Sequence, residues 1–328
     1  MDGAASFLEA YLTPLNNQIH DPYIVEIAIN SDGKVWREMQ GASHMELYEG
    51  HNFTNSDAHE VGKAIANDIG LPFSAEKPII SGKIEYQGVP LRAQVLMNPA
   101  VDGGTVITLR AYSQKKIAIG NIELLHGQLV DLDQERRNMA KSVETLAKVG
   151  KIKEAMQVCV DARLNIMISG GTSSGKTTFA RGLLSLVEPD ERIVTIEDAF
   201  ELFPDQPNSV CLKAKRMEGS ETSAAKLLEA TLRLRPDRII LGELRGSECK
   251  TFLDAINTGH GGSFTTIHAD TAQKAIDRLA LMVMSVGMNM TFEEVRRYCA
   301  TSIDIVIQLG RNNGKRGVAE IYIPYSLD

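Results

Sequence analysis

Alternation of apolar and polar residues fills the first third of the chain. Tyr23 to Ile29 reads as a strand, Asn30-Ser31-Asp32-Gly33 as a turn and Lys34 to Met39 as the returning strand. Further strands are predicted over Ile79 to Tyr86, Val89 to Met97 and Val106 to Arg110, with Gln87-Gly88 and Asp102-Gly103-Gly104 as turns. An amphipathic helix is predicted from Ala4 to Leu12, stopped near Pro14. Another opens at a capping-box-like Asp57 and Glu60, runs through Val61, Ile65 and Ile69, and ends at Gly70 and Pro72. Strands outnumber helices, so residues 1–112 are predicted to form a small α+β domain.

The pattern changes from Ser113 to about Ala147, and residues 113–147 are predicted as the linker. Its mixed-charge run, Asp131 to Arg137, reads as a solvated linker or an exposed helix. Beyond Val149 strands and helices alternate. A helix to Ala162 leads to the strand Leu164 to Ile168. Strands at Ile193 to Ile196, Val210 to Lys213, Arg238 to Leu241 and Ser263 to Ile267 follow, with helices Ser223 to Leu234, from Ser247 and from Thr271. That alternation predicts a parallel-sheet α/β nucleotide-binding core over residues 148–328. Ile303 to Leu309 and Val318 to Ile323, joined across Asn312-Asn313-Gly314, form a closing hairpin.

Between the strand at Ile168 and an amphipathic helix from Thr178 lies Gly170-Gly171-Thr172-Ser173-Ser174-Gly175-Lys176-Thr177, which fits G-x-x-x-x-G-K-[ST]. Small residues let the backbone curl so that successive N–H groups face phosphate oxygens. The helix N-terminus adds its positive end. Gly171, Thr172, Ser173, Ser174, Gly175, Lys176, Thr177 and Thr178 are therefore the expected ATP-binding residues. Lys176 reaches the β- and γ-phosphates, and the Thr177 hydroxyl is placed to ligate Mg²⁺.

Charge and cysteine content narrow the setting. A net charge of −7 argues against non-specific nucleic-acid binding as the main activity, although it leaves room for a local basic channel. The 4 cysteines, Cys159, Cys211, Cys249 and Cys299, are scattered without metal-ligand spacing and read as reduced cytosolic thiols. Asp2 and Glu9 stand where a targeting segment would carry basic and then apolar residues, and the apolar stretch Leu279 to Met288 is too short to span a bilayer. A cytoplasmic protein is expected, with peripheral membrane association open. Met282, Met284, Met288 and Met290 read as core filler or as a packing surface. His44, His51 and His59, in polar surroundings, read as solvated surface residues.

Hydrolysis needs more than a phosphate loop: a carboxylate must handle Mg²⁺ or water. Arg238 to Leu241 is a buried strand running into Gly242-Glu243, which makes Glu243 the candidate for orienting the attacking water. Glu197 ends the preceding strand in the same manner and is the second candidate carboxylate. His268 ends a further strand, either as a hydrogen-bonded structural residue or as a sensor of the γ-phosphate. Arg233 and Arg235 are either solvated or reach across a subunit contact as charge stabilisers.

Taken in order, Gly170 to Thr177, Ile196-Glu197-Asp198, Leu232 to Arg245 and Gly259 to Ala269 resemble the Walker A, Asp box, Walker B and His box of the secretion traffic ATPases. Size and N-terminal layout are most similar to the hexameric ATPase of bacterial type IV secretion systems. The resemblance implies a RecA-like phosphate-loop domain preceded by the smaller α+β domain, assembled as a homohexamer with ATP bound between the two domains. It also implies inner-membrane secretion-system partners, a seat at the cytoplasmic face of that membrane, and Arg110 reaching the phosphates from the N-terminal domain. Pilus-retraction and type II secretion ATPases are the related alternatives, but the latter carry a four-cysteine metal element after the His box, where this chain has only Cys299. A nucleotide-gated assembly switch with little turnover is a further alternative. A DNA-pumping motor would draw on Lys213, Lys215 and Arg216; acidity and the lack of an aromatic stacking platform count against it, so no stable nucleic-acid binding is expected.

Overall fold

Residues 7–112, 118–217 and 219–326 are described by the structure, a computed structural model. The N-terminal strands are β1 (Ile24–Ile29), β2 (Lys34–Met39), β3 (Glu46–Asn52), β4 (Ile79–Tyr86), β5 (Val89–Met97) and β6 (Thr105–Ala111). They form an antiparallel sheet in the order β3-β2-β1-β6-β5-β4. Helix Asn55–Ile69 packs on β4, β5 and β6 through Val61 and Ile65, and Gly70 closes it at φ 75°. Its capping box uses Thr54 and Asp57, three residues ahead of the predicted pair, because the Thr54 hydroxyl accepts from Asp57 N–H. β3 escaped prediction because its side chains are mostly exposed and polar, as suits a sheet edge.

At the start, helix Phe7–Leu12 continues through a 3₁₀ turn, Thr13–Leu15, into helix Asn16–Ile19; the predicted residues Ala4 to Ser6 lie outside the described residues. Pro14 sits in the first turn of the next helical piece, where its missing N–H costs nothing. The histidines differ from expectation. His51 lies edge-on to Phe53 at 4.6 Å, His59 stacks on Phe73 at 5.7 Å and His44 Nδ1 is 3.5 Å from Asp237 Oδ2.

The second sheet contains β7 (Ile166–Gly170), β8 (Ile193–Glu197), β9 (Ser209–Lys213), β10 (Arg238–Leu241), β11 (Phe264–Ile267), β12 (Ile305–Asn312) and β13 (Lys315–Tyr322). Their order is β13-β12-β7-β11-β10-β8-β9. The β12–β7, β7–β11, β11–β10 and β8–β9 pairs are parallel. β7, β8, β10 and β11 are buried at every position, as parallel strands covered on both faces require. β12 and β13 pair antiparallel across Asn313-Gly314, both left-handed at φ 49° and 80°. The mixed-charge run is the start of helix Leu132–Lys148, N-capped by Asp131. An unpredicted helix, Phe292–Ser302, opens with a Thr291–Glu294 capping box. Met282, Met284 and Met288 are half-buried and Met290 is exposed, so the core of helix Ala272–Met284 is aliphatic instead: Ile276, Leu279 and Val283.

Two compact units emerge: Met1–Ser113 with Glu188–Ile239, and Gln114–Val187 with Ile240–Asp328. Within the first, the fully buried Arg192 donates to Asn30 Oδ1 and Leu234 O, each at 2.8 Å, and to Asn208. Arg235 pairs with Glu38 at 2.7 Å and with Asp237, which occupies the guanidinium that sequence reasoning offered to a neighbouring subunit; Arg233 is exposed. Within the second, Arg136 donates to Asp304 Oδ1 at 3.1 Å, and Asp304 Oδ2 accepts the Asn165 N–H at 2.6 Å. All four cysteines are free; Cys159, Cys249 and Cys299 are buried. Among the described residues no helix is long and apolar enough to cross a membrane.

Candidate functional site

β7 ends at Gly170 and helix Lys176–Leu184 begins after the loop, so the predicted strand, loop and helix are all present. Glycine is needed at 170, where a Cβ would lie 2.4 Å from Ser174 Oγ. Ser173 and Gly175 adopt left-handed φ of 59° and 96°, which curls the loop. Ser174 is buried and its hydroxyl has no hydrogen-bond partner, a polar group left for a ligand. Lys176 Nζ donates to Gly170 O at 3.0 Å and to Gly171 O at 3.2 Å. Burial holds its ammonium below the usual lysine range, with Glu243 opposing that shift. Thr177 is half-buried in the first helical turn, and Gly171, Thr172, Ser173 and Thr178 are exposed.

The neighbouring parallel strands deliver the other groups. β10 runs into Gly242-Glu243 and β11 into His268, on the carboxyl edge from which the loop also leaves. His268 Nε2 is 3.3 Å from Glu243 Oε1, and Lys176 Nζ is 3.3 Å from His268 Nδ1. Burial, then the cations of Lys176 and Arg278, push the His268 imidazole below its ordinary value. Lys176 Nζ also lies 3.5 Å from Nε2, so the ammonium sits against both ring nitrogens. Glu243 also pairs through Oε2 with Arg245. Leu244 N–H donates to Thr266 O at 2.9 Å, which fixes the backbone beside Glu243 to β11.

A cleft of about 410 Å³ opens on this edge, bordered by Thr172, His268, Lys274 and Arg278. On the other flank of the loop, Met156, Phe179, Leu183, Leu309 and Arg316 border a cavity of about 440 Å³. Sequence reasoning assigned no role to Arg245, Lys274 or Arg278. The legible signal for the last two was the i, i+4 basic spacing just after His268.

The remaining candidates belong to the other compact unit. Glu197 ends β8 with 6% of its surface exposed; its Oε1 accepts the N–H groups of Glu201 and Leu202 at 3.0 Å. Burial raises its carboxyl above the usual range and those two bonds oppose the shift. Arg110, on β6, is exposed, and Glu26 faces it across the β1–β6 ladder at 4.0 Å. Glu26 is 3% exposed, and burial pushes its carboxyl up to about 7 against the pull of Arg110. Among the described residues no group of three or more His, Cys, Asp or Glu is arranged to hold a metal ion. The Thr177 hydroxyl is a single donor of the kind that completes the shell of an ion carried in by a nucleotide's phosphates.

Residues 126–315 match the model of the family described as type II/IV secretion system protein. The type IV secretion system protein VirB11 of Brucella suis biovar 1 (strain 1330) is 31% identical over 339 residues, covering 97% of this chain and 90% of that protein. Conjugal transfer protein TrbB of Rhizobium radiobacter is 33% identical over 306 residues, covering 92% and 84%. The crystal structure of the VirB11 ATPase from the Brucella suis type IV secretion system, in complex with sulphate, aligns with a TM-score of 0.86 at 30% identity, over 97% of this chain and 95% of that one. That match supports the expected fold class, a RecA-like phosphate-loop domain preceded by a smaller α+β domain. With more than half of the chain inside the family model and nearly all of it aligned to VirB11, this chain belongs to the type II/IV secretion system protein family and is an ATPase of its type IV secretion branch.

Proposed function

We propose that this ATPase hydrolyses Mg²⁺-ATP as a homohexameric ring at the cytoplasmic face of the inner membrane, energising substrate translocation or pilus assembly with inner-membrane secretion-system partners. The observation that carries the reading is the contact series Lys176–His268–Glu243 at adjacent strand ends beside the phosphate loop. Residues 171–178 hold the phosphates, Lys176 contacts the β- and γ-phosphates, and the Thr177 hydroxyl faces the Mg²⁺ that they carry. Glu243 orients the attacking water and His268 reports the terminal phosphate. The anion named with the Brucella suis relative, sulphate, is in keeping with a phosphate-binding chain. Residues 1–112 act as the N-terminal domain, 113–147 as the linker and 148–328 as the ATPase domain. Glu197 acts as the second carboxylate, and Arg110 grips the terminal phosphate.

Phosphate release by the purified protein tests this. K176A removes the mobile cation and brings turnover to background, at least tenfold down, which is about 1.4 kcal/mol or more of lost transition-state stabilisation. E243Q keeps ATP affinity and slows hydrolysis by about 10²-fold or more. Near-normal turnover by K176A would place the reaction elsewhere.

A further inference from the structure

We propose that Arg245 is a positioning residue for hydrolysis: its guanidinium competes with the attacking water for the Glu243 carboxylate and so restrains the rate of the ATP-bound enzyme. The proposal rests on the reading of Glu243 as the water-orienting carboxylate.

Both Glu243 oxygens are engaged, Oε2 by Arg245 and Oε1 by His268 Nε2 at 3.3 Å, and its side chain is only 16% exposed. A carboxylate held by two donors is a weak acceptor for the proton of a water. The backbone under Arg245 is fixed. Its N–H and that of Gly246 donate to Glu248 Oε1 at 2.5 and 2.8 Å, and the neighbouring Leu244 is buried. The Arg245 side chain is 43% exposed, so it is the movable part of the pair.

The other half of the hold responds to nucleotide. Lys176 donates to two loop carbonyls and lies 3.3 and 3.5 Å from His268 Nδ1 and Nε2, so its charge rests against the imidazole beside Glu243. Phosphate oxygens outcompete carbonyls and an imidazole nitrogen for an ammonium. Once Lys176 turns to phosphate, the His268–Glu243 contact loses this neighbour, and Arg245 remains as a donor that competes with water for Glu243 in the ATP-bound chain.

Variants at 245 separate holding from scaffolding. R245Q is expected to raise kcat by about two- to fivefold, the range of a half-exposed ion pair, with the KM for ATP unchanged. R245K, which keeps the charge and loses the fork, falls between R245Q and the natural chain. The double variant E243Q/R245Q hydrolyses as slowly as E243Q. Independently of turnover, NMR titration of His268 in R245Q moves its midpoint upward, because the unshared Glu243 charge then faces the imidazole; an unmoved midpoint overturns the pairing. A natively melting R245Q with turnover at or below that of the natural chain overturns the proposal while a slow E243Q keeps the reading of Glu243. Normal hydrolysis by E243Q removes that reading and the proposal together. Should R245Q not fold, R245K decides by the same signs.

Discussion

Glu26 carries an unusual burden for one side chain. It is buried opposite Arg110, its ladder partner on β2 is Glu38, and Arg192 and Arg235 also act on it. Its carboxyl sits at about 7 in the folded chain against an ordinary 4.5, so the folded state holds a proton that the unfolded state releases between those values. Stability from this site is fully present below the unfolded value and is lost as pH rises through about 7, by on the order of 3 kcal/mol. E26Q has no such loss. The melting-temperature gap between E26Q and the natural chain is therefore expected to widen as pH goes from 5 to 8; a constant gap would contradict it. Residues of this sort were only partly legible. The place of Lys176 and Thr177 at the start of the helix after β7 was readable because the motif's spacing is local. Glu26 was not, since β1 reads as a strand whether or not its one charge faces an arginine 84 positions away. Arg245 was visible in the motif, but its grip on Glu243 depends on side-chain rotamers that sequence does not state.

Elements were legible where period and turn chemistry agree. Asn313-Gly314 set the last hairpin, and buried apolar runs set β7 and β10. Misses came from polar sequence: β3, with its exposed side chains, and helix Phe292–Ser302, whose capping box precedes a charged first turn. Beside β8, one fully buried cation ties distant stretches together. Arg192 donates to Asn30, Asn208 and Leu234, and burial lowers its guanidinium only to about 10, so it stays charged at neutral pH. Arg192→Leu strands these acceptors and is expected to destabilise by about 3–5 kcal/mol, read from urea unfolding. A change under about 1 kcal/mol would mean that water replaces the guanidinium.

At the scale of the whole molecule, the predicted order of an α+β part before an α/β part was readable because the hydrophobic period changes along the chain. The grouping of Glu188–Ile239 with the first unit was not, because it is made by contacts such as Arg192–Asn30 between distant stretches. Ile119, Leu125 and Leu129 expose 84%, 91% and 87% of their surfaces. The proposed ring would give these side chains a partner to cover them. Light scattering is expected to show an ATP analogue with Mg²⁺ stabilising a large assembly; a fully active monomer at every concentration would refute it. For Arg110, the proposed grip on phosphate predicts that R110K is nearly as damaging to hydrolysis as R110A, because lysine lacks the planar fork. ADP affinity should barely change in either variant, and equal activity of R110K and the natural chain would reduce Arg110 to a surface residue.

The burial of the cysteines, three of them complete and that of Cys211 partial, has a practical consequence for anyone wishing to label this ATPase. Burial pushes the Cys159 and Cys299 thiols up to about 12, and raises those of Cys249 and Cys211. Since the thiolate is the reactive form, maleimide dyes are expected to label these thiols slowly at neutral pH, with the partly exposed Cys211 the fastest of them. A cysteine introduced at an exposed position such as Leu125 would then take the label almost alone. A fluorophore can then be placed there without first replacing the native thiols.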